Sequence, residues 1–401
     1  MIAREYPPTA GLPLRWSDFG GTPPESLEGG LATFVGVPEV QIECSGTASL
    51  VVALETLKRV SQRKTVVITA YTCPLVPLAV HRCGLKIRIC DTEKERFDFD
   101  ASALNGAVDG DTLCIIPAHL GGGVSNLEPT LEIAKRAGAF VVEDTTQSLG
   151  ATWRGRPAGS WGDIGFFSLG AGKGLTIYKG GFLIARDLAI RAALGDTSRE
   201  IVVRDSAAEI RRFIELVGYR LLYNPFGLRF AYGAHLRRWL ARGRPERAVG
   251  DEFGGVIPLH TVSTIRKNVG ARALPRLHDA IAENLLRAQT RIATLENIPG
   301  LRVIRDLPDS SGAWTFLMVL FDSERACTAA LAKLWTAGLG VTKLFVHELT
   351  GYAFLKEIVP AVAMPNAHSF AARHLTITNS AWLGDEEFAR IVQVLRDASR
   401  G

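Results

Sequence analysis

Between about Glu43 and Asp187, short apolar runs alternate with stretches of helical period, and no other feature of the sequence limits the fold so sharply. Val66-Val67-Ile68-Thr69-Ala70 reads as a strand and Leu75 to Cys83 as a helix. Leu85 to Cys90 is the next strand, closing at Asp91, and Thr112 to Pro117 is another. Leu127 to Ala137 has helical spacing, Ala139 to Val142 is a strand ending in Glu143-Asp144, and Gly165 to Ser168 and Gly181 to Ala185 add two more. Largely apolar strands separated by helices predict an α/β fold with a mostly parallel central sheet covered on both faces. Ligands of such sheets gather at the carboxyl ends of the strands, where Asp144 and His119 both fall.

After Asp187 the pattern turns to arginine-rich helical stretches, with turn signals at Asn224-Pro225 and Gly243 to Pro245, and then a long helix from about Ala273 to Leu295. From Arg302 a smaller α/β unit is expected. Its strands are Trp314 to Phe321, Val341 to Phe345 and Leu375 to Ile377, and its helices are Glu324 to Ala337 and Asp385 to Ala398. The last helix opens with Asp385-Glu386-Glu387, acids placed where the helix dipole favours them. The division that follows is an N-terminal segment, 1–26, a large domain, 27–260, with a basic helical insert at about 190–260, and a connecting helix with a small C-terminal domain, 261–401.

A chain of 401 residues, 47% of them hydrophobic, has ample material for such a core. Its net charge of +5 is mild and scattered, so nucleic acid is not an expected partner. The six cysteines form no CxxC pair and sit mostly in strand-like runs, which points to free thiols in a reducing cytosol and to no metal site. Met1 to Pro13 lacks the apolar core of a secretory signal, and no run of about eighteen apolar residues offers a membrane-spanning helix. A cytoplasmic protein is expected. The stretch Arg199 to Arg247 stands apart: eleven arginines against five acids, a local excess of six, interleaved with Phe213, Tyr223, Phe226, Phe230 and Trp239. It reads as a helix pair packed on the large domain, as an approach path for an anionic substrate, or as a surface for peripheral membrane contact.

The chemistry concentrates around Lys173, in Ser168-Leu169-Gly170-Ala171-Gly172-Lys173-Gly174-Leu175, about thirty positions after Asp144. A lysine among small residues, a carboxylate at a buried strand end and a hydroxyl-rich helix start are what pyridoxal 5'-phosphate (PLP) requires. Its aldehyde needs an amine for a Schiff base, its ring nitrogen a carboxylate, and its phosphate hydroxyls and N–H groups. Ser45-Gly46-Thr47-Ala48 opens a helix that runs to about Lys58, and serves either as an ordinary cap or as a phosphate cradle. A desolvated Asp144 requires a cationic partner, a pyridinium nitrogen or an arginine.

The helix-opening Ser-Gly-Thr-Ala, then Glu143-Asp144-x-x-Gln147, then Gly159-Ser160-Trp161-Gly162-Asp163-Ile164-Gly165 through Ser168 and Lys173 to Gly180-Gly181, resembles the DegT/DnrJ/EryC1/StrS family. These are PLP-dependent sugar aminotransferases of fold type I. Pro117-Ala118-His119-Leu120 and Met364-Pro365-Asn366-Ala367 extend the likeness, which runs from about Leu27 to the C-terminus. The resemblance implies that Lys173 holds the cofactor and moves the proton, that Asp144 meets the ring nitrogen and that Gln147 reaches the ring hydroxyl. Gly46, Thr47, Ala48 and Ser168 are implied phosphate ligands. It implies a keto-sugar, nucleotide-linked, or a cyclitol ketone as acceptor, an amino-acid donor such as L-glutamate, and a homodimer. Elimination or decarboxylation on the same fold, or a non-catalytic PLP-binding regulator, are the alternatives.

Three positions depart from the family pattern. Cys73 falls where an aromatic ring usually stacks on the cofactor, so Tyr71 is the candidate for that face. Leu259 to Asn268 lacks the family's asparagine pattern for the partner subunit's phosphate contact, and Lys179 replaces a glutamate before the paired glycines. His119, Lys343 and His347 are candidate substrate contacts, each with a purely structural reading beside it.

Overall fold

The computed structural model describes residues 4–401. The chain lays down β1 (Gln41–Glu43), β2 (Thr65–Thr69), β3 (Lys86–Cys90), β4 (Thr112–Ile116) and β5 (Phe140–Asp144). A small hairpin of β6 (Thr152–Trp153) and β7 (Arg156–Pro157) follows, and then β8 (Ile164–Ser168) and β9 (Gly181–Ile184). The main sheet has the order β1-β9-β8-β5-β4-β2-β3, and only β9 runs against its neighbours. That reversal has a simple cause. Residues 169–180 carry no helix to return the chain to the far end of the sheet, so β9 comes back antiparallel beside β8. The connecting loop therefore hangs over the carboxyl end of β8, next to that of β5, and it contains Lys173.

Both faces of the sheet are covered because side chains alternate along each strand. Val66, Ile68, Cys114, Ile116 and Val142 join the core on one face, with Leu50, Leu54 and Leu57 of the helix Gly46–Val60. Val67, Ile115 and Val141 point the other way, onto Leu104 and Ile133 of the helices Ala101–Ala107 and Glu128–Ala137. Each fully buried Val, Ile or Leu side chain is worth roughly 1.5–3 kcal/mol, so this two-sided packing holds the strand ends in fixed register. The helix Ala101–Ala107 has no strong period in the sequence; Asp100 caps it by accepting from Ala103 N at 2.8 Å.

Further along, β10 (Leu301–Val303), β11 (Ser310–Ser311), β12 (Phe316–Phe321), β13 (Val341–Thr342) and β14 (His374–Thr378) follow. All but β11, which pairs with β6, form an antiparallel sheet of order β10-β12-β14-β13, covered by the helices Leu277–Leu295, Glu324–Leu334 and Asp385–Arg400. The expected long helix begins at Leu277 and runs to Leu295; a 3-10 turn at Leu274–Arg276 separates it from a further helix, Thr264–Ala273, because Pro275 lacks the N–H that a continuous helix needs. The expected strand to Phe345 pairs only at Val341 and Thr342, because Phe345 packs against Tyr71 instead. The basic insert is helical: Leu188–Ile201, Ser206–Leu222, Pro225–Leu228, a π turn at Arg229–Gly233, Ala234–Leu240 and Pro245–Val249. Among the described residues no helix is long and apolar enough to cross a membrane.

Candidate active site

Asp144 ends β5 with its backbone fixed on both sides: its N–H donates to Pro117 O at 2.9 Å, and its carbonyl accepts from His119 N at 2.9 Å. Its carboxylate accepts from Thr146 N at 3.0 Å and has no ion-pair partner among the described residues. Burial pushes its pKa up, with Thr146 and the more distant Lys173 and His119 opposing the shift. Lys173 is the mirror case. Burial pushes its ammonium pKa down, and no carboxylate stands within ion-pair range among the described residues. A partly buried amine of depressed pKa is a nucleophile, and a buried carboxylate without a cation requires one.

Both groups line one cleft of about 260 Å³, together with Ser45, Gly46, Thr47, Thr146 and Ser168. The helix Gly46–Val60 points its N-terminus into the cleft, with Ser45 Oγ accepting from Ala48 N at 3.0 Å. Ala48 is thus held by the cap and does not line the cleft. The close approach that makes the cradle depends on glycine. A Cβ at Gly46 would lie 3.1 Å from Thr146 Cγ2 and 3.3 Å from Ser168 Cβ, and one at Gly181 only 2.5 Å from Gly46 N. The donor set fits PLP: an amine, a carboxylate for the ring nitrogen, and a helix N-terminus with hydroxyls for a phosphate.

The lysine loop is clamped by residues whose importance the sequence did not reveal. Leu12 N donates to Gly174 O at 3.0 Å, Thr9 Oγ1 donates to Gly172 O at 2.6 Å, and a Cβ on Gly11 would come within 2.7 Å of Lys173 O. From the other side Arg266, fully buried, donates to Ile177 O at 3.3 and 3.4 Å and pairs with Glu209 Oε1 at 2.5 Å. Tyr178 in the same loop has φ +71, a left-handed conformation that costs a non-glycine residue about 1–2 kcal/mol. Lys179 lies at the mouth, on the wall shared with a second cleft of about 260 Å³ that also presents Arg212 and His260.

Several expected contacts lie elsewhere. The ring of Tyr71 does not face the cleft: it is fully buried, edge-on to Phe345 and Phe370, and its hydroxyl meets His374 Nε2 at 2.8 Å. Because His374 Nδ1 faces Phe370 O at 3.0 Å and its pKa is driven down to about 3 by burial, the ring is neutral and Tyr71 is the donor. Cys73, Leu75 and Val76 line the cleft in its place, and burial holds the Cys73 thiol up at about 12. Gln147 Oε1 accepts from Gly121 N at 3.1 Å, so it braces the loop after His119 and is not part of the cleft wall.

His119 is also structural in this arrangement. Its Nδ1 accepts from Ser125 N at 3.0 Å and its Nε2 donates to Glu143 Oε2 at 3.0 Å, where Glu143 also accepts from the N–H groups of Gly159, Trp161 and Gly162. This network anchors the glycine-rich turn that precedes β8. Lys343 and His347 line a separate cleft of about 620 Å³. There Lys343 donates to Ala371 O, and His347 pairs with Glu246 at 3.0 Å. A stretch that pairs as a strand only at Val341 and Thr342 carries them away from Lys173.

A lysine loop over the carboxyl ends of β5 and β8, facing a carboxylate and a helix N-terminus, defines a PLP enzyme of fold type I. The family model for the DegT/DnrJ/EryC1/StrS aminotransferase family matches residues 12–217 and 259–396. The chain belongs to that family, whose cofactor is PLP. It is 31% identical over 161 residues to GDP-perosamine synthase of Caulobacter vibrioides, covering 40% of this chain and 43% of that protein. It is 33% identical over 175 residues, 42% of each chain, to a Streptomyces kanamyceticus protein provisionally named L-glutamine:3-amino-2,3-dideoxy-scyllo-inosose aminotransferase. These matches span less than half the length of either relative. The PLP form of Spr1654 from Streptococcus pneumoniae superposes with a TM-score of 0.74 at 17% identity over 99% of each chain, a likeness of fold.

Proposed function

We propose that this chain is an aminotransferase that moves an amino group from an amino-acid donor, L-glutamate, to a ketone. The acceptor is a keto-sugar, the nucleotide-linked kind included, or a cyclitol. The observation that carries the reading is the pair of oppositely charged groups, partly buried Lys173 and buried Asp144, which share one cleft with no ion-pair partner among the described residues. The family relation and the names of the two relatives, one for an amino-sugar synthase and one for a cyclitol aminotransferase, support the class of acceptor.

When bound, PLP supplies an aldehyde that links to amines and a ring that accepts the electron pair released at the adjacent carbon. Asp144, fixed by the strand hydrogen bonds at its own backbone, would keep a proton on the ring nitrogen. Lys173 Nζ would hold the cofactor's aldehyde and, as a free amine, would take the proton from the donor's α-carbon. The same amine would deliver a proton to the acceptor's carbonyl carbon. The N–H groups at Gly46 and Thr47 and the Ser168 hydroxyl would hold the phosphate, with Lys179 adding positive charge at the mouth. In this reading residues 27–260 are the cofactor-binding domain, 261–401 the small domain, and the enzyme works as a cytoplasmic homodimer.

The test is spectroscopic and chemical. Wild-type protein with PLP is expected to show the visible absorbance of the lysine-bound cofactor, and Lys173→Ala to lack it. Glutamate should convert the bound cofactor to its amine form with release of 2-oxoglutarate. An unchanged spectrum in Lys173→Ala overturns the lysine assignment. Failure of glutamate and of other amino donors, while a candidate substrate loses water or carbon dioxide, overturns transamination.

A further inference from the structure

Beside the cofactor cleft lies a larger cavity of about 550 Å³, and Ala171 and Lys173 belong to the walls of both. Its remaining walls are unlike the cofactor cleft. Tyr178, Tyr219, Tyr223 and Tyr232 line it with Leu222 and Leu228. Tyr219 and Tyr223 stack at 4.5 Å, and Tyr178 approaches Tyr219 at 6.0 Å. Among the described residues the wall carries no cation apart from Lys173, and its one carboxylate, Glu215, is paired with Arg212 at 2.7 Å. A phosphate or diphosphate would find no counter-charge there except the lysine that chemistry needs.

Most of this wall lies outside the residues that the family model matches. Gly218, Tyr219, Leu222, Tyr223, Leu228, Ala231 and Tyr232 all fall in residues 218–258, which the family model does not match. Tyr178, the wall's contribution from the lysine loop, is kept in a left-handed conformation that glycine would adopt without strain. In the same insert Leu221, Phe226 and Phe230 are exposed, with the Phe226 and Phe230 rings in edge contact.

We propose that this cavity is the subsite for a neutral apolar group, aliphatic or aromatic, carried by the amino acceptor, and that it does not take a nucleotide diphosphate. The inference rests on the aminotransferase reading of Lys173 but reaches the substrate class that the reading leaves open. The tyrosine faces and leucines remove apolar surface from water, while the acceptor's carbonyl end reaches the shared wall at Lys173.

Binding of phenyl β-glucoside, of n-octyl β-glucoside below its micelle concentration, of glucose and of UDP-glucose to the PLP-loaded protein tests this by calorimetry. At least one glycoside should bind ten-fold or more tighter than glucose. Ala231→Phe, which adds a ring at the cavity wall, should weaken that binding at least ten-fold and leave UDP-glucose unaffected. Tyr219→Leu, which removes one stacked ring without filling the space, should weaken the phenyl glycoside more than the octyl one if the group is aromatic, and both alike if it is aliphatic. The inference is overturned if neither glycoside outbinds glucose, if neither substitution changes the affinity, or if Ala231→Phe weakens UDP-glucose as well. The glutamate half-reaction, run on each variant, separates the two readings: its loss in wild type refutes the aminotransferase assignment, whereas its persistence with failed glycoside binding refutes the subsite alone.

Discussion

Gly181→Ala isolates the phosphate cradle from the rest of the cleft. The new Cβ would stand 2.5 Å from Gly46 N and from Ser45 C and O, all backbone atoms with no rotamer to swing aside. Ordinary contact begins near 3.4 Å, so β1 and the helix start after it must retreat from β9 by about 0.9 Å. Overpacking of this kind typically costs 1–3 kcal/mol of stability. The larger effect falls on the ligand, because the N–H groups of Gly46 and Thr47 move with the helix start. Each hydrogen bond to a charged group is worth about 1.5–3 kcal/mol, so misaligning one of them weakens PLP by about ten-fold or more. Fluorescence titration with PLP, and with phosphate-free pyridoxal as control, reads the effect directly: PLP affinity should fall at least ten-fold while pyridoxal affinity stays within about two-fold. An unchanged PLP affinity in a folded Gly181→Ala protein, or an equal loss for both ligands, would refute the placement of the phosphate at this helix start.

Two further outcomes follow from buried charges away from the cleft. Glu209→Ala leaves the Arg266 guanidinium fully buried beside Ile177 O with no carboxylate, and should lower the stability of the apo protein by about 3–5 kcal/mol in urea unfolding, whereas the double change Glu209→Leu with Arg266→Met should recover most of it. Burial pushes the Asp251 pKa up to about 6, while Val346 N at 2.9 Å and Tyr352 Oη at 2.7 Å both donate to it. A carboxyl raised in the folded state binds its proton more tightly there, so its contribution is present below about pH 4 and is lost as pH rises through 6. Asp251→Asn should therefore flatten the fall in Tm between pH 4 and 6; an identical pH profile in the variant would show that the shift is absent.

The strands and the lysine loop were legible because their signals are local. A buried parallel strand declares itself as an apolar run with a polar residue at its carboxyl end, so β5 and Asp144, and β8 and Ser168, could be placed from sequence alone. Tyr71 shows where that reasoning ends. Only Thr72 separates it from Cys73, and a sequence has no means to say that Phe345, Phe370 and His374, some three hundred positions later, enclose its ring and leave the cleft wall to a thiol. The clamp on the lysine loop was hidden for the same reason: Thr9, Leu12 and Arg266 bear no motif, and each acts through one backbone carbonyl of residues 172–177. The insert is the converse case. Its arginines dominated the reading of the sequence, yet Arg212, Arg237 and Arg247 are tied to Glu215, Glu5 and Glu252, and what the insert turns toward Lys173 is its tyrosines. Charge in a helical insert lies on the surface and is easily counted. The uncharged side chains on its inner face are the ones in position to select a substrate.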